Sequence, residues 1–76
     1  MELGKFVQNF AEQFEETEAS IFKPETVIKE LEEWDSFIAL SVIAMVDEEY
    51  HVKITGDDIR KSNTIQDIFE IVKSKR

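Results

Sequence analysis

The stretch DSFIALSVIAMVDEEY, Asp35 to Tyr50, contains no Gly or Pro and opens on two residues that both cap helices well. It predicts a helix over 36–50, about four turns long. At about 100° per residue, Ala39, Val42, Ile43, Val46 and Tyr50 share one arc, the expected core face, and Asp47 and Glu48 lie away from it. Phe37, Leu40 and Ala44 fall on a flank of that arc, with Ile38 and Met45 on the far side. The helix thus carries more apolar residues than one buried face uses, which points to an exposed interaction patch. The alternative is that a loop or a short helix covers the surplus.

Upstream, Phe6, Val7, Phe10, Ala11 and Phe14 recur at spacings of three and four and predict a helix over 3–16. The phenylalanine stripe reads as core, because aromatic side chains dominate small cores. Pro24 interrupts the connection TEASIFKPETVIKELEEW. Its residues Ile21, Phe22, Val27, Leu31 and Trp34 predict a loop laid over the core, with a helical turn between Val27 and Glu33. Downstream of HVKIT, the T-x-x-D pattern at Thr55–Asp58 predicts a short helix near 57–61. The same pattern at Thr64–Asp67, followed by Ile65, Ile68, Phe69 and Val72 at helical spacing, predicts a last helix over 65–74, and the closing KSKR suits a helix C-terminus.

Seventy-six residues make one domain, which at this size buries roughly 60% of the surface exposed by its unfolded chain. With no Cys and a single His, neither disulfides nor a structural zinc can stiffen it. Stability must come from apolar packing. A hydrophobic content of 42%, six Phe, two Gly and one Pro fit an all-α globular chain. The balance of 17 acidic against 9 basic residues, a net charge of −8, repels nucleic acid and anionic membranes, and it either favours basic protein partners or serves solubility alone. The apolar run Phe37–Val46 is about half of what spans a bilayer. The start MELGKFVQNF lacks the pattern of a secretory signal, so a cytoplasmic location is expected.

Catalytic chemistries fail on spacing. His51 lies fifteen residues beyond Ser36 on the same predicted helix, roughly 22 Å away, too far to act as its base. No G-x-S-x-G elbow or glycine-rich phosphate loop is present. TGDD is too short for a calcium loop, and the clusters EETE, ELEE and DEE read as solvated faces. Two readings remain for Ser36. As the helix cap, its loss would cost about 0.5–2 kcal/mol. As a displayed hydroxyl, it suits modification by another enzyme, because an attached phosphate would sit by free backbone N–H groups at the positive end of the helix dipole.

Asp35-Ser36-Phe37 with Trp34 before it, the apolar helix, the acidic VDEEYHVKI and the closing NTIQDIFEIVKS resemble the acyl carrier protein family over nearly the whole chain. The resemblance implies a small four-helix bundle with a short third helix. It also implies that Ser36 is esterified by 4′-phosphopantetheine from coenzyme A, whose thiol carries acyl or aminoacyl groups as thioesters. The cofactor would then bring the sulfur that the chain lacks. Such a carrier catalyses nothing itself. Its expected partners are a phosphopantetheinyl transferase and acyl or aminoacyl ligases or synthases, met as a monomer. Asp35 would cap the helix and help hold the transferase's magnesium. Phe37, Ile38, Leu40 and Ala44 would contact partners, with Asp47 and Glu48 steering toward basic rims.

Four positions depart from the family pattern. Phe37 stands where Leu is usual, a variant also seen in D-alanyl carrier proteins. Ile38 and Ser41 stand where fatty-acid carriers place acidic residues, and Glu33 where many members have Gly. These departures point to a specialised carrier and leave its cargo open among fatty-acid, lipid, polyketide, nonribosomal-peptide and D-alanine chemistry. The rival reading is an unmodified helical module that binds a protein through the same helix.

Overall fold

The computed structural model of the chain describes residues 2–76. Among the described residues four helices form a small bundle: α1, Leu3–Ala11; α2, Ser36–Tyr50; α3, Gly56–Arg60; and α4, Ile65–Lys75. α1 packs on α2 and α4, and α3 packs on α2 and α4. Phe6 and Phe10 of α1, Val42 and Val46 of α2, and Ile65 and Val72 of α4 are fully shielded from water. This is the all-α, four-helix architecture with a short third helix that the resemblance implies.

The two T-x-x-D patterns start helices as expected. Thr55 Oγ1 accepts from the Asp58 N–H at 3.1 Å while Asp58 Oδ2 accepts from the Thr55 N–H at 2.9 Å. Thr64 and Asp67 repeat the exchange at 3.1 Å each way. Each pair satisfies two backbone donors that a helix start leaves free. The bounds of α3 and α4 fall within one residue of those predicted.

α1 is shorter than predicted, ending at Ala11 rather than residue 16. Gln13 and Phe14 make tighter bonds to Phe10 and Ala11, and the next three backbone N–H groups, of Glu15, Glu16 and Thr17, turn to the Glu33 carboxylate instead of to a helical carbonyl. A side-chain acceptor from a remote segment thus takes over the donors that would have extended the helix.

The long connection is fastened to the core. Single 3₁₀ turns occupy Ala19–Ile21 and Ile28–Glu30, the second inside the predicted helical turn. The Ile28 N–H donates to Asn63 O at 2.9 Å, and the N–H groups of Ile65 and Gln66 donate to Thr26 O and Pro24 O, so residues 24–28 are laced to the start of α4. Phe22 and Leu31 are buried, while Ile21 stays half exposed at 49%. Between α2 and α3 the chain is extended, with Val52 and Ile54 pointing into the core. His51 ends α2 in the left-handed conformation, φ 57°, and is exposed.

Candidate functional site

The start of α2 separates the two roles that Ser36 could have played. Asp35 is the cap: its backbone is extended, and its Oδ1 accepts from the Ile38 N–H at 2.8 Å. Ser36 is the first residue of the helix proper, exposed, and its hydroxyl has no hydrogen-bond partner among the described residues. The capping reading of Ser36 is therefore corrected. Asp35 satisfies the helix end and leaves the Ser36 hydroxyl free beside it.

The exposed side of α2 is a single stripe. Phe37 is 73% and Leu40 65% exposed, and Ala44, Asp47 and Glu48 follow at spacings of three and four, all open to solvent. The stripe is apolar next to Ser36 and acidic toward the far end of the helix. Ile38, expected on this surface, is only 6% exposed and Met45 only 7%. α1 and α3 both pack on α2, so its buried and half-buried arc runs from Met45 and Ile38 round to Ile43 and is wider than one helix contact needs. Ile38 is thus a core residue.

A groove of about 520 Å³ opens beside Ser36 between α2 and α3. Its walls come from Ala39, Leu40 and Ile43 of α2 and Ile59 of α3, with Ile28 and Trp34 from the connecting loop. Trp34 is held by near-parallel stacking on Phe10 and Phe14, at centroid distances of 6.2 and 6.3 Å. Lys29 and Arg60 also border the groove, and Arg60 pairs with Asp57 of its own helix. Nothing in the sequence announced this groove, because its walls come from three separate segments.

Glu33 is the second feature that local patterns did not reveal. Its Oε2 accepts from the Glu15 N–H at 2.9 Å. Its Oε1 accepts from the Glu16 and Thr17 N–H groups, both at 3.0 Å, and from the Thr17 hydroxyl at 2.8 Å. The Glu15 N–H bond first, then the Thr17 and Glu16 bonds, hold its carboxyl below the ordinary carboxylate range. Within the cluster ELEE, read as a solvated face, Glu33 is therefore a tie between segments.

His51 sits at the opposite end of the fifteen-residue α2 from Ser36. Among the described residues no group of three or more His, Cys, Asp or Glu is arranged to hold a metal ion, and no helix is long and apolar enough to cross a membrane. What the site offers is a free hydroxyl at a helix start, an apolar stripe on one side and an apolar groove on the other. Comparison of the chain with family models, curated proteins and solved structures found no match in any of the three.

Proposed function

We propose that the protein is a carrier that holds acyl or aminoacyl thioesters on a 4′-phosphopantetheine arm attached to Ser36. The observation that carries this reading is the division of labour at the start of α2: Asp35 caps the helix, so the Ser36 hydroxyl is free to react without loss of the cap. In the attachment step the Ser36 Oγ attacks the β-phosphorus of coenzyme A. A phosphodiester forms, the bond to the α-phosphate breaks with release of adenosine 3′,5′-bisphosphate, and the serine proton passes to a base on the transferase.

The residues present fit such a group. Its phosphate would lie at the positive end of a fifteen-residue helix. Its apolar portion and an acyl cargo would find the groove walled by Ala39, Leu40, Ile43 and Ile59. When attached, the group supplies the thiol that a cysteine-free chain lacks. Asp35, the residue next to Ser36, would assist the transferase's magnesium. Phe37, Leu40 and Ala44 would seat in apolar hollows of the transferase, ligase or synthase, while Asp47 and Glu48 steer encounter with basic rims. The protein itself is no enzyme in this reading. The apolar first turn of α2 suits a specialised carrier, a D-alanyl carrier being one such case.

The test is intact mass after incubation with coenzyme A, magnesium and a broad-range phosphopantetheinyl transferase. The expected result is one phosphopantetheine added to the wild type and none to Ser36→Ala. A second reading, a helical module that docks through Phe37 and Leu40 without modification, is favoured by the exposure of those two side chains. It prevails if several transferases leave the wild-type mass unchanged.

A further inference from the structure

We infer that Glu33 is a positioning residue for Ser36, tying the segment that leads into α2 to the loop at 15–17 and so holding the first turn of α2 in one geometry. The inference rests on the carrier reading for its enzymatic readout. Its structural basis is the pattern of bonds in residues 31–35. The N–H groups of Leu31 and Trp34 bond only three residues back, to Ile28 and Leu31, and Asp35 bonds within the first turn of α2. Glu33 alone reaches a remote segment by hydrogen bonds, to residues 16 to 18 positions upstream.

Trp34, the next residue, stacks on Phe10 and Phe14 of the same upstream region. A polar and an aromatic contact therefore dock the two residues that precede Asp35. Charge opposes this docking. Glu16, Glu18, Glu30 and Glu32 border one shallow groove with Glu33, and their charges repel. The Glu33 bonds hold these segments together against that repulsion. Helix first turns fray where few contacts hold them. Asp35 can cap only while its backbone stays extended, φ −152° and ψ −177°, and that depends on how residues 33 and 34 are held.

The test compares Glu33→Gln with the wild type, since Gln keeps the length but replaces one acceptor oxygen by a donor facing backbone N–H groups. Transferase kinetics are measured at saturating coenzyme A with carrier concentration varied. The expected result is a kcat about tenfold lower, with KM for the carrier unchanged because Phe37, Leu40, Asp47 and Glu48 stay on α2. Val72→Ala, a core truncation in α4, should lower stability and keep the wild-type kcat. A wild-type kcat in Glu33→Gln, or an equal fall in Val72→Ala, overturns the inference.

Backbone amide exchange supplies a readout that needs no transferase. In Glu33→Gln the amides of Glu15, Glu16 and Thr17 and those of Ile38 and Ala39 should exchange faster, with α4 unaffected. Unchanged protection at Ile38 and Ala39 overturns the inference. A wild type that takes no label removes the carrier reading instead, and the exchange result then decides the role of Glu33.

Discussion

α2 and α4 are the two longest helices, and they begin in opposite ways. α4 opens on a reciprocal capping box and buries Ile65, Ile68, Phe69 and Val72, so the large apolar side chains it carries go into the core, with Ile71 half-buried. α2 opens on Asp35 alone. Its third position, where a capping box would place an acidic or amide side chain, holds Ile38, which enters the core. Phe37 and Leu40 are left in water beside an unbonded serine. The start of α4 serves stability. The start of α2 gives up some stability for a displayed hydroxyl and an apolar surface, which is the pattern expected of a place other molecules use.

The largest effect that separates the two helices is core truncation. Phe69→Ala should cost about 3–5 kcal/mol, much of the stability of a domain this small. Phe37→Ala, the same chemical change on α2, should stay within about 0.5 kcal/mol of wild type. Chemical denaturation of the two variants measures the contrast, and equal losses would show that Phe37 is packed after all.

Helix starts come next. Thr64→Ala and Asp35→Ala each remove a cap and should each cost about 1 kcal/mol. Ser36→Ala should be nearly neutral, because its hydroxyl makes no bond to lose. If denaturation places the loss at Ser36 and not at Asp35, the division of roles at the start of α2 is wrong.

The smallest effect is that of acid. Asp67 is held below the ordinary carboxylate range by the Asn63 and Thr64 N–H groups, and Asp58 by Lys75, whose Nζ lies 2.9 Å from Oδ2, and then by the Thr55 N–H. Glu33 is lowered by its own bonds on the α2 side. Each group binds its proton more weakly folded than unfolded. Its contribution is therefore present above the ordinary carboxylate pKa and is lost as pH falls through the lower folded value. Thermal melts should show a modest decline on that acid limb, modest because these groups are solvent-screened. Asp67→Asn should flatten it for α4 and Glu33→Gln for the segment before α2.

Both T-x-x-D starts were legible because the reciprocal bonds of each capping box close within three residues, so residue order carries the capping interaction. Order alone left Asp35 and Ser36 as rival caps for α2. α4's core face was legible for a related reason, since it packs with one simple stripe. The end of α1 was misread because Glu33, 16 to 18 residues further on, takes the amides of residues 15–17. No window along the chain contains both partners.

By itself, the sequence determined four helices, the capping boxes of α3 and α4 and the surplus of apolar residues on α2, all consequences of short-range periodicity and capping chemistry. Tertiary structure alone decided which part of that surplus stays outside. Two helices pack on α2 and draw Ile38 and Met45 inward, leaving Phe37 and Leu40 beside Ser36. It also decided that Ala39, Leu40 and Ile43 would share a groove with Ile59 and Trp34, and that Glu33 would face the 15–17 loop. Each of these depends on where distant segments come to rest, and burial and hydrogen bonding across a fold are set by that placement and not by order along the chain.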